Sequence, residues 1–223
     1  NRAGALLTDA LRTAAEARVV LASAPSQAEF LAALPRAAIE WARVEAFHMD
    51  EYLGIAPDSP QSFSQFLRVH LFGSVEPGAF HVLDGTADPA AEAERYTRLL
   101  RRSPLHLVCC GVGENGHIAF NDPGNADFDD PATVKEVVLP EAARRQQVHD
   151  GMFPNLESVP ERALTVTVPA LLSAAAITCV VPGPTKRVAL ARMLQGPIDE
   201  ECPASILRRH PNCTLYTDPQ AYA

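Results

Sequence analysis

The residues from 105 to 110, Leu-His-Leu-Val-Cys-Cys, form a short β-prone run that stops at Gly111. Apolar side chains on both alternating sets of positions mark a strand covered on its two faces, as in a parallel sheet between layers of helices. Gly113 and Gly116 follow closely, then Glu114, Asn115, His117, Asn121 and Asp122. Glycine admits positive φ and lets a backbone approach a ligand. A buried strand ending in glycines, acid, amide and imidazole is how open α/β sheets build sites at their carboxyl edges.

The rest of the chain repeats the alternation. Helical periodicity is expected over 3–17, 26–34, 62–72, 90–101, 169–175, 186–195 and 205–209, with Ser26 and Glu29 in a capping-box spacing. Strands are expected over 18–22, 41–47, 105–110, 132–139, 164–168, 176–181 and 213–216. This predicts a single α/β domain over 1–223, a doubly wound, mainly parallel, Rossmann-like sheet with helices on both faces. Residues 140–160 carry too little apolar material for a core element, so 125–162 is expected as a mobile lid beside the site.

Composition narrows the partners. With 223 residues, 47% hydrophobic and 21% charged, the chain has ample material for one core. A net charge of −8 argues against binding nucleic acid or an anionic membrane surface. It leaves room for a small anionic ligand held by a few local donors. The five cysteines show no CxxC spacing, which points to reduced thiols in a cytoplasmic protein. No uninterrupted apolar stretch is long enough for a membrane span, and no signal peptide is visible after Asn1. Nothing decides between monomer and homo-oligomer.

Three strand ends carry reactive groups: Asp50-Glu51, the loop from Gly111 to Asp122, and Thr185-Lys186. Parallel strands would bring all three to one sheet edge. Asp50 and Glu51 point opposite ways in an extended segment, so one can face a site while the other is structural. Asp122 lies five residues after His117 and can hold its imidazole for acid–base work. Lys186, behind Gly183 and Pro184, suits an anion.

These residues resemble a known family. Residues 47–54, FHMDEYLG, with Ser62, Phe63 and Phe66, resemble the MDEY segment of the glucosamine-6-phosphate deaminase (isomerase) family. Residues 111–123, GVGENGHIAFNDP, resemble its GxGxDGHIAFNEP signature, and Ala163-Leu164-Thr165 and residues 182–186 follow in the expected order. The related 6-phosphogluconolactonases share the GxDGH core but usually continue differently. The resemblance implies metal-free, cofactor-free aldose–ketose isomerisation of an amino sugar phosphate, with release of ammonia and fructose 6-phosphate.

Carried over, Asp50 is the base moving the proton between C2 and C1, and His117, oriented by Asp122, opens the sugar ring. Lys186 binds the phosphate, the backbone at Gly111 and Gly113 lines the sugar, and Glu51, Ser23 and Ser26 complete the substrate contacts. Three departures stand out. Asn115 replaces the family's Asp, Asp122 its longer Glu, and Ser23-Ala24-Pro25-Ser26-Gln27 its glycine-rich TGGTP loop. Arg144 and Arg145 are loose candidates for its substrate-binding arginine. The departures motivate one alternative, a sugar-phosphate sensor that has lost the chemistry; the sister family supplies another, a lactonase-type hydrolase, against which the HIAFN residues 117–121 speak.

Overall fold

In the computed structural model, which describes residues 2–222, six parallel strands form the central sheet. They are β1 (Ala17–Leu21), β2 (Val44–His48), β4 (Ala79–His81), β5 (Leu107–Cys110), β8 (Ala176–Val181) and β9 (Cys213–Thr217). Their order is β4-β2-β1-β5-β8-β9. The chain builds outward from β1 in one direction and then from β5 in the other. The loops leaving β1 and β5 therefore diverge, and a crevice opens between them at the carboxyl edge.

Strict alternation along the strands splits the core in two. Val19, Leu21, Leu107 and Cys109 pack with Leu7 and Leu11 of α1 (Arg2–Thr13), Leu31 of α2 (Ala28–Ala33) and Phe66 and Leu67 of α3 (Phe63–Leu67). Val20, Val108, Cys110, Ile177 and Cys179 face the other way. There they meet Tyr96 and Leu100 of α4 (Pro89–Arg101), Leu171 of α6 (Val168–Leu172) and Leu190 and Met193 of α7 (Arg187–Gln195). Helix α8 (Pro219–Tyr222) closes the end of this layer through Ala221. Each fully buried Leu or Val stabilises the fold by roughly 1.5–3 kcal/mol before conformational entropy is counted.

Several local expectations change. Ser26 does not cap a helix; Pro25–Gln27 is a 3-10 turn leading into α2, and no side chain caps either element. Trp41–Arg43 is another 3-10 turn, so β2 starts only at Val44. The helix expected over 62–72 is α3 followed by a wide π-type turn, Arg68–Phe72.

The largest difference is a second sheet. One residue after β2 the chain enters β3 (Asp50–Tyr52), which pairs antiparallel with β7 (Arg162–Val166), itself paired antiparallel with β6 (Val134–Val138). Within 140–160, where no core element was expected, α5 (Glu141–His149) buries Ala143, Gln146 and Gln147. Phe153 and Val159 join Tyr52, Phe63, Phe120, Val137 and Leu139 in a third apolar cluster. The segment 125–162 is therefore packed into the second sheet and its helix as a wall rather than appended. Its low apolar content has a physical cause: the buried face of α5 presents amides to a cleft.

Candidate active site

The cleft at the carboxyl edge is lined by the turn after β1, the start of β3, the loop after β5, α5 and the turn after β8. Ser23, Ser26, Asp50, Gly111, Gly113, His117 and Lys186 all line it. The three strand ends singled out in the sequence thus meet.

Asp50 sits where the chain crosses from the first sheet to the second, and β3 pairing with β7 fixes it opposite Thr165. It is 6% exposed, and no hydrogen bond holds its carboxyl among the described residues. Burial pushes that carboxyl well above the usual range, and the charges of Glu51 and Asp122 push the same way. A group so placed can accept a proton near neutral pH.

Glu51 points away from the cleft. It is fully buried and accepts from Ser62 Oγ (2.7 Å), Tyr52 N (3.0 Å), Phe63 N (3.2 Å) and Ser64 N (3.3 Å). The expected substrate contact is replaced by a structural one: Glu51 satisfies the first N–H groups of α3 beside the Ser62 N-cap. Burial pushes it up to about 7 against the pull of those donors. Adjacent carboxyls on an extended segment have taken opposite roles.

The loop after β5 makes a three-membered polar ring. His117 Nδ1 lies 2.8 Å from Asn115 Oδ1 and 3.0 Å from Asp122 Oδ1, and Asn115 Nδ2 donates to Asp122 Oδ1 at 2.8 Å. Two acceptors at Nδ1 put the proton there and leave Nε2 as the free ring nitrogen. Asn115 Oδ1 also accepts from the His117 backbone N–H at 3.0 Å. Asn115 is therefore a hinge pin for both ring and carboxylate. Burial alone would raise Asp122, but the charge and hydrogen bond of His117, joined by Asn115, hold it below the usual carboxylate range.

Glycine is required here for contact reasons. A Cβ on Gly113 would lie 2.1 Å from His117 Cε1, and one on Gly116, at φ +94°, would lie 2.7 Å from Cys202 Sγ. Ala119 adopts φ 51°, a left-handed conformation uncommon for alanine, next to His117 on the same wall. Asn121 pins the loop, donating to Ile118 O and Val166 O at 2.9 Å each, while Phe120 N donates to Thr165 Oγ1 at 3.1 Å.

Lys186, 5% exposed, lines the same cleft from the 3-10 turn Pro184–Lys186. Among the described residues its ammonium makes no hydrogen bond and has no carboxylate at ion-pair distance. Burial draws it below the usual lysine range, against the pull of Asp150 and Glu114. In the turn after β1, Ser23 Oγ is buried without a partner. Gln27 Nε2 braces that turn, donating to Val180 O at 3.0 Å and to Ser26 Oγ at 3.2 Å. Its amide occupies the space a Cβ on Gly111 would fill, at 2.7 Å.

Arg144 and Arg145 do not reach the cleft. Arg144 donates to Leu156 O and Val159 O, and Arg145 pairs with Glu141 on the surface. The residues missed in the sequence are Gln27, Phe63, Gln146, Gln147 and Asp150, which also line the cleft. Only the oddly polar, Gln-rich composition of 141–150 could have signalled three of them.

Among the described residues one set, Glu114, His149 and Asp150, brings ligating atoms within 4.8 Å of one another. His149 is exposed, with Nδ1 3.2 Å from Glu114 Oε1. A larger groove, about 580 Å³, opens before β5, β6 and β8, where Arg101 is already tied to Thr133 at 2.7 Å. No unpartnered buried polar side chain faces it among the described residues. No helix among the described residues is long and apolar enough to cross a membrane.

Comparison with known proteins adds independent findings. Residues 1–216 match the family described as glucosamine-6-phosphate isomerases/6-phosphogluconolactonase. A glucosamine-6-phosphate deaminase of Lactobacillus delbrueckii subsp. bulgaricus is 33% identical over 202 residues, 90% of this chain and 84% of the relative. One from Exiguobacterium sibiricum is 36% identical over 184 residues, 82% of this chain and 71% of the relative. Among solved structures, a monomeric glucosamine-6-phosphate deaminase superposes with a TM-score of 0.89 at 28% identity, covering 99% of this chain and 92% of its own. A 6-phosphogluconolactonase from Thermotoga maritima, at TM-score 0.77 and 20% identity over 97% of this chain and 91% of its own, shares the fold.

Proposed function

The chain belongs to the glucosamine-6-phosphate isomerase/6-phosphogluconolactonase family, and from that premise we propose that it isomerises and deaminates glucosamine 6-phosphate to fructose 6-phosphate and ammonia. One observation carries the reading: a buried, unpaired carboxyl and a buried, unpaired ammonium, those of Asp50 and Lys186, face one cleft that His117 also lines. An unpaired buried ammonium is costly unless a ligand's anion completes it. With the unpartnered Ser23 hydroxyl it supports binding of a phosphate.

His117 then opens the ring through its bare Nε2, which takes the proton of the C1 hydroxyl and passes it to the ring oxygen as the C1–O5 bond breaks, the Nδ1 proton staying with Asp122 and Asn115. In the opened sugar, Asp50 takes the proton from C2 and returns it at C1 through an enediol-type intermediate, its raised affinity for protons suiting both halves of the transfer. Protonation at C1 leaves an imine at C2; a water molecule adds there, its oxygen becoming the C2 carbonyl as the C–N bond breaks and ammonia leaves, giving the ketose. The free cysteines support a reducing, cytoplasmic setting.

Proton NMR in heavy water with glucosamine 6-phosphate tests this reading. Deuterium entering the sugar carbons, with ammonia released, and a roughly 10²–10⁴-fold loss in D50N are expected. Unchanged turnover in D50N would remove Asp50 from its role. Decay of 6-phosphogluconolactone above its spontaneous rate, with no exchange, would assign the lactonase branch instead.

A further inference from the structure

We propose that Gln147 is a sugar-binding residue, its carboxamide N–H groups aimed by the Tyr52 hydroxyl at an oxygen of the substrate's carbon chain. The proposal rests on the sugar-phosphate reading above.

Tyr52 O–H donates to Gln147 Oε1 at 2.6 Å. Its ring cannot swing away, being fully buried with the rings of Phe63, Phe120 and Phe153 at 4.8, 5.3 and 5.2 Å between centroids. The hydroxyl's bond to Gln147 Oε1 leaves Nε2 as the open branch of the amide. Burial pushes the phenol well up, so it remains a donor throughout the working pH range. The other branch, Nε2, has no partner among the described residues, yet Gln147 is only 6% exposed and lines the cleft.

Gln146 shows the contrast. Its Oε1 accepts from Glu114 N at 2.9 Å and its Nε2 donates to Asp150 Oδ2 at 3.2 Å, so both ends of that amide are spent within the wall. Gln147 spends one end and keeps the other. Tyr52 and Asp50 are two apart on β3 and project to the same face, so the amide that Tyr52 holds belongs on the Asp50 side of the cleft. A neutral, oriented donor there suits a hydroxyl or carbonyl oxygen of the sugar chain, whereas the phosphate goes to Lys186.

The test compares wild type with Q147L, Q147E and Y52F. It measures turnover of glucosamine 6-phosphate, and calorimetric binding of glucitol 6-phosphate, a non-reacting open-chain analogue, and of inorganic phosphate. Q147L should raise KM and the Kd for glucitol 6-phosphate about tenfold, the effect of one lost neutral hydrogen bond. Phosphate affinity should stay within about twofold, a split that general loosening of the wall would not give. Q147E keeps the size and the acceptor for Tyr52 but loses the donor, so it should show the same selective loss even if Q147L folds poorly. Y52F should show a smaller loss, because the amide is freed to turn.

Unchanged KM and Kd in Q147L and Q147E, or equal losses for phosphate and glucitol 6-phosphate, would overturn the proposal while leaving the deaminase reading intact. Gln147-dependent binding without turnover in wild type would do the reverse. No binding of glucitol 6-phosphate by wild type would overturn both.

Discussion

Gly113 and His117 are in such close contact that a methyl group on the glycine would lie 2.1 Å from the imidazole Cε1, and the Gly113 N–H donates to His117 O at 3.0 Å. The glycine is the seat of the ring. G113A should cut kcat by at least about a hundredfold, because a misplaced acid–base group loses most of its contribution. Tm should fall by only a few degrees. Measurement of kcat beside a melting curve checks this; near-normal kcat would show that the ring does not need its seat.

Asn115 lies between the ring and Asp122. In N115D two carboxylates would face each other where Asn115 Nδ2 now donates to Asp122 Oδ1 at 2.8 Å. The tie between Asn115 and Asp122 would be lost and the two side chains would repel, so kcat should fall about tenfold in N115D, the effect of one lost hydrogen bond to a charged group. An unchanged kcat would mean that Asn115 matters for shape alone.

Lys186 carries an unpaired charge in a buried place. K186M should abolish competition by inorganic phosphate and raise KM by two orders of magnitude or so, as a charged hydrogen bond and ion pair are lost. It should also stabilise the unliganded protein, by about 1 kcal/mol or roughly 2–4 °C in Tm for a chain of this size. A loss of stability would show that the ammonium has a structural partner.

Glu51, pushed up to about 7 by burial, binds a proton more tightly folded than unfolded. Its contribution to stability is therefore full below its ordinary value near 4.5 and is lost as pH rises to about 7. The difference is of the order of 3 kcal/mol. Urea unfolding at pH 5 and pH 7.5 should show this decline in wild type and a flatter dependence in E51Q. Equal slopes would remove Glu51 as the source.

Much of the site was legible because it is written on strand ends. β5 and β8 are short apolar runs bounded by glycine or proline, and they place Gly111–His117 and Lys186 directly. The second sheet was not legible: β3 is three residues long and follows β2 after one residue, so the two merge into one run. Helix α5 was missed because its buried positions are Gln146 and Gln147, which periodicity counts as surface. The opposite roles of Asp50 and Glu51 were foreseeable from alternation; which of them faces the cleft was settled by the position of Ser62 and α3.

Thr165 is the Cα partner of Asp50 across β7, and its hydroxyl also accepts from Phe120 N at 3.1 Å in the turn that follows His117. One threonine is thus a ruler with a mark at each end, holding the strand of the proposed base and the loop of the proposed ring-opening group. The two proton transfers occur at different moments and on different atoms of the sugar, yet their separation is set once, by a strand register. A slip there would spoil the timing between steps without touching either reacting side chain.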